Sequence, residues 1–151
     1  MEKFKDNVCL RGVFKMKVYK GEGKKRKLLE NFEEENLIVN QARDVMARLI
    51  AGEITNQSIK FISFGTNGNV PVSDDEIITN PFTKEIGVIF TLPTGRAIFE
   101  WKLTTAEANG LAIMEFGLLT SDKMLFARRT RIEPIHKDSD ISLEGQWTII
   151  F

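Results

Sequence analysis

Three arginines stand almost together at Arg128, Arg129 and Arg131, and their type and spacing most invite a chemical role. On an extended strand Arg129 and Arg131 share a face while Arg128 points the other way, so guanidinium groups line both sides of one ribbon. A guanidinium presents a fixed fork of donors that fits a carboxylate, which makes subunit contact with acids on a neighbour the expected chemistry. The plainer reading is an edge strand that uses charge to block aggregation. The loop from Asn67 to Glu76 is the second surface expected to face a neighbour, with Asp74, Asp75 and Glu76 at its end. Those three acids lack the alternating spacing and the later bidentate acid of a calcium loop, and near the start of a helical turn they would complement its dipole.

The remaining inventory of reactive groups is thin. His136 is the one histidine, between Pro134 and Lys137 in an expected connecting loop, and without a second histidine or a cysteine pair it cannot anchor the usual zinc site. Cys9 is the one cysteine, so no internal disulfide is available, and with no histidine near it in sequence it reads as a small buried hydrophobe. The glycine-rich stretch Gly65 to Asn69 is followed by Pro71 and acids, not by the Gly-Lys-Ser/Thr of a phosphate loop. No two of the 21 acids are marked as a catalytic pair. These residues give no catalytic site, no cofactor and no metal, and the expected protein is not an enzyme.

What must position such residues is set by length and pattern. At 151 residues, 42% hydrophobic and 28% charged, the chain suits one globular domain with one core. Lys plus Arg and Asp plus Glu both number 21, and a net charge of zero disfavours nucleic acid or anionic lipid as a general partner. No stretch approaches the length of a membrane span, and Met1 to Asp6 lack the apolar run of a secretion signal.

Residues 1–34 read as a β-hairpin with a basic loop. Phe14, Met16 and Val18 alternate with Lys15 and Lys17, Lys20 to Lys27 form a mobile basic tip, and Leu28 to Asn36 return with four glutamates. Ala42, Val45, Met46, Leu49 and Ile50 fall on one stripe of a 3.6-residue period, predicting an amphipathic helix near residues 40–51. Asn40 is its expected N-cap and Gly52 its left-handed terminator. Beyond Ile59 the chain alternates strands and turns: Ile59 to Phe64, a long loop to about Phe82, hairpins over Val88 to Leu103 and Leu111 to Ile132, and a last strand from Ile141 with Trp147 inward. About seven short strands and one helix predict a mainly-β, antiparallel two-sheet sandwich of jelly-roll type.

The order of several motifs is similar to a family of tailed-bacteriophage and prophage tail structural proteins. They are ENLIVNQARDVMARLIAG (Glu35 to Gly52), ISFGTNG (Ile62 to Gly68), TNPFTK (Thr79 to Lys84), EANGLAIMEFGLL (Glu107 to Leu119), LFARRTR (Leu125 to Arg131) and ISLEGQWTIIF (Ile141 to Phe151). The resemblance covers Glu35 to Phe151 and implies a non-enzymatic part of the tail, baseplate or fibre that forms a homo-oligomer and contacts other tail proteins. It also implies assembly in the bacterial host cytoplasm and residence in the virion tail. It carries over no catalytic residue. The alternative is a carbohydrate-binding β-sandwich for host recognition, which requires Trp101 or Trp147 at the surface.

Overall fold

The computed structural model describes residues 10–151, so Cys9 lies outside the described residues. The strands are β1 (Arg11–Lys20), β2 (Lys27–Ile38), β3 (Ile59–Gly65), β4 (Phe82–Glu85), β5 (Val88–Leu92), β6 (Arg96–Leu103), β7 (Ala112–Thr120), β8 (Leu125–His136) and β9 (Ile141–Ile150). One α-helix, α1 (Asn40–Ile50), and a short 3-10 turn at Gly23–Lys25 complete the described elements. The chain is thus mainly β with one helix. In place of two stacked sheets, however, the strands form one antiparallel sheet in the order β4-β3-β7-β8-β2-β1-β9-β6-β5, curled into a half-barrel.

The physical reason is the length of β2. It pairs with β1 from Lys27 to Asn36, and then Leu37 and Ile38 pair with Arg128 and Ala127 of β8, so one strand belongs to both wings. The curl brings the inward faces together: Phe14 of β1 meets Phe116 of β7 at 4.7 Å between ring centroids, and Phe64 of β3 meets Trp101 of β6 at 5.2 Å. Alternation predicts this core well, since Phe14, Met16, Val18, Trp101, Leu103, Trp147 and Ile149 are all buried. Phe151 departs from the expected inward row: it lies past the end of β9 and is exposed. The sheet's two ends, β4 and β5, are joined by Ile86 and Gly87 alone. β4 escapes the sequence reading because its four residues, FTKE, show no alternation.

Ala42 and Val45 bury the helix against β8, while Ile50, expected on the same stripe, is the helix's last residue and is 89% exposed. The cap also differs from expectation. Val39 occupies the N-cap position, and the Asn40 side chain instead donates to Asp74 Oδ1 at 2.9 Å. Gly52 does terminate the helix, at φ +74°, with its N–H donating to Leu49 O. Space around Gly52 is open, so Gly52→Ala tests backbone conformation alone; it is expected to lower stability by about 1 kcal/mol, read as a shift in the urea midpoint.

The basic tip is held in place and not left mobile. Arg26 forks onto Glu144 at 3.0 and 3.2 Å and lies over the Tyr19 ring at 3.9 Å. Gly21 N–H donates to Asp140 O, Ser142 Oγ donates to Gly21 O, and Glu22 accepts from the Thr105 N–H.

Candidate functional site

The expected contact residues divide into two clusters on opposite faces of β8. Arg128, on the face away from the aromatic core, is 2% exposed. Its Nε donates to Glu115 Oε2 at 2.8 Å, and its two terminal nitrogens reach Asp75 Oδ2 at 2.8 Å and Asn67 O at 2.9 Å. Glu115, from the middle of β7, is fully buried, and its other oxygen accepts from Thr79 N at 2.7 Å and Asn67 N at 3.2 Å. The Arg128–Glu115 pair therefore straps the 66–81 loop onto the sheet, and Thr66 N–H donates to Thr79 O to close the loop's neck. Ile78 seals the strap by lying on Gly65 and Gly117; a Cβ at Gly117 would meet the Ile78 side chain at 2.8 Å.

Arg128 is thus not a surface fork: Asn67 and Asp75 are its partners within the chain, and β8 is an inner strand, not an edge. One sequence signal does mark the strap. Glu115 is a lone acid inside the apolar run AIMEFGLL, and a buried carboxylate demands a cation or several donors. Asp74 and Glu76 remain exposed at the loop's outer edge, where they line a notch of about 340 Å³ beside α1.

Arg129 and Arg131 share the opposite face, as the strand period predicts. Beyond Leu37 and Ile38 the register between β2 and β8 stops, and these two side chains span the gap. Arg131 Nη2 donates to both carboxylate oxygens of Glu30 at 3.0 and 3.1 Å, Arg129 pairs with Glu34 and donates to Glu35 O at 2.9 Å, and both guanidinium groups lie beside the Phe32 ring. The glutamates of β2 are thereby matched mainly to β1 and β8, not to the basic tip: Arg11 pairs with Glu35 and Lys15 with Glu33. Lys24, Lys25 and Lys27 form no ion pair among the described residues.

On the face of β1, β9 and β6 turned away from the core lies a groove of about 720 Å³. Register sets its floor in two rows, Glu33–Lys15–Gln146–Glu100 and Asn31–Lys17–Glu144–Lys102, so donors and acceptors alternate across four strands. Burial pushes the Glu144 carboxyl up, but hydrogen bonds from Arg26 and Tyr19 and the charges of Arg26 and Lys102 outweigh it and hold the group below the ordinary carboxylate range. Glu107 behaves alike: burial raises it, while hydrogen bonds from Lys84 and from Thr104 N, with the Lys84 charge, bring it down. Both carboxyls are depressed on folding, so their contribution is full above the unfolded value near 4.3 and is lost as pH falls through the folded value. Urea midpoints followed across roughly pH 6 to pH 3 are expected to fall, and Arg26→Met to make the fall shallower.

Lys137 is buried, with its Nζ donating to Asn109 Oδ1 at 2.8 Å, Asp138 O at 3.0 Å and Thr105 O at 3.4 Å. Burial lowers its pKa. Two of these bonds fasten the 104–110 segment, and the third goes to the neighbouring Asp138 carbonyl. His136, expected in a loop, is the last residue of β8 and is exposed.

Every residue of β5, an apolar strand, is exposed. It pairs with β6 on one side and presents an open backbone edge on the other. Trp101 and Trp147, by contrast, are both buried, so neither offers a ring for stacking on a sugar. Among the described residues no group of three or more His, Cys, Asp or Glu could hold a metal ion, and no helix is long and apolar enough to cross a membrane. Compared with family models, with curated proteins and with solved structures, the chain matches none.

Proposed function

We infer that the chain is a non-enzymatic structural component of a bacteriophage or prophage tail, acting through contacts between its own copies and with other tail proteins. The observation that carries this reading is the joint order of the six motifs. They fall on structured elements: ENLIVNQARDVMARLIAG on the end of β2 and α1, ISFGTNG on β3 and the neck of the strapped loop, TNPFTK on the entry to β4, EANGLAIMEFGLL on β7, LFARRTR on β8 and ISLEGQWTIIF on β9. An apolar edge strand left uncovered in the single chain supports an assembling protein, because soluble monomers normally blunt such edges. The proposed site of action is the virion tail, after synthesis in the bacterial host cytoplasm.

Co-sedimentation of the tagged protein with tail particles from a lysogen tests the reading. Expected is a fixed stoichiometry in the particle fraction and a defined oligomer of the free protein at micromolar concentration. A strictly monomeric protein that stays out of that fraction overturns it. The carbohydrate reading loses its stacking surface with both tryptophans in the core, and the polar groove is the feature left to support it.

A further inference from the structure

We propose that β5 pairs edge to edge with β5 of a second copy of this chain, antiparallel, about a two-fold axis through Phe90. The inference rests on the assembly reading above in one respect, that the protein acts through contacts between copies.

The two ends of the sheet are built differently. β4 is half-buried over Phe82, Thr83 and Lys84 and ends in a charged pair, Lys84 and Glu85, bonded to Glu107 and Lys60. Charged and covered edges of that kind resist strand addition. β5 reads VIFTL, without charge or proline, and Val88, Ile89, Phe90 and Leu92 are 49%, 49%, 37% and 40% exposed. Its side chains are apolar on both faces: Val88, Phe90 and Leu92 on the groove side, Ile89 on the core side. An added strand therefore gains hydrophobic contact above and below the sheet as well as main-chain hydrogen bonds.

A second copy fits this edge because the strand is complementary to itself. Pairing about Phe90 sets Val88 of each copy opposite Leu92 of the other, Ile89 opposite Thr91, and Phe90 opposite Phe90. Register on β6 places Arg96 beside Leu92 and Glu100 beside Val88, so each row across the contact ends in opposite charges about 14 Å apart. Each apolar Leu92–Val88 pair is then flanked by Arg96 of one copy and Glu100 of the other, and the two-fold axis repeats the arrangement at the far end. A net charge of zero leaves little long-range repulsion between copies. The groove continues into the same contact, since Gly87 and Val88 line its margin.

Sedimentation equilibrium of the full chain, compared with Phe90→Lys and Phe90→Glu, tests the pairing. Expected is a self-associating wild type, with each variant weakened on the order of 100-fold because like charges then oppose each other on the axis. An equimolar mixture of the two variants is expected to associate again, which unfolding of either would prevent. Far-ultraviolet circular dichroism of the single variants checks that they retain the sheet. A monomeric wild type, variants that associate as the wild type does, or folded variants that stay apart when mixed would each overturn the proposal. Entry of the wild type into tail particles, scored separately, distinguishes failure of this edge from failure of the tail reading.

Discussion

Arg128→Ala is expected to destabilise the fold by about 3–5 kcal/mol, because it leaves the Glu115 carboxylate buried without its countercharge. For a domain of this size that corresponds to a fall in Tm of roughly 10 °C. Asp75, the other partner, is a fifth exposed and can take up water, so Asp75→Asn is expected to cost far less. Glu115 has a second task, accepting the Asn67 and Thr79 amides. Glu115→Gln keeps an acceptor for them and should be milder than Glu115→Ala. Replacing both members of the pair by apolar residues, as in Arg128→Met with Glu115→Leu, should recover only part of the loss, since the two amides stay unpaired. Urea unfolding of the five variants checks the ranking. A loss below about 1 kcal/mol for Arg128→Ala would mean that the strap carries little of the fold's stability.

Trp101→Ala is expected to cost about 3–5 kcal/mol, through the transfer of a large ring and the cavity it leaves. Trp101 joins the two wings: it stacks on Phe14 at 5.9 Å and meets Phe64 edge-on at 5.2 Å. The ring lies on Gly145 of the adjacent strand, where a Cβ would strike Trp101 and approach Lys15 O at 2.6 Å. Gly145→Ala should therefore destabilise by about 1–3 kcal/mol in the wild type and by less in the Trp101→Ala background, where the ring it strikes is gone. Additivity of the two losses in urea titrations would show that Trp101 and Gly145 do not share that contact.

The legible parts of the fold were those written in local periodicity. Alternation placed Phe14, Trp101 and Trp147 inward, the 3.6-residue period found α1, and the strand period put Arg129 and Arg131 on one face. What escaped depended on partners distant in sequence. Arg128 meets Glu115 and Asp75 from 13 and 53 residues away, so nothing beside it announces its burial. Asn40 has the right side chain for a cap, yet Val39, whose N–H is tied to Phe126 O across the sheet, takes the cap position, so Asn40 is already helical and its side-chain N–H donates to Asp74, 34 residues on. The sandwich gave way to one curled sheet because no local pattern shows that β2 is long enough to serve both wings. β5 was legible as a strand, but its exposure was not, since strand order decides which apolar ribbon is left at the margin.

The two-residue join at Ile86 and Gly87 has a mechanical consequence. From Glu85 to Val88 the extended chain reaches about 10 Å, so the margins of this sheet cannot drift apart by more than that at the join without rupturing strand pairs. A ribbon free at both ends could flatten or uncoil under load, whereas here one corner is tethered like a clasp. A pull on β5 by an attached neighbour would pass through Ile86, whose amide is tied to Lys60 O, directly into β3 on the opposite flank.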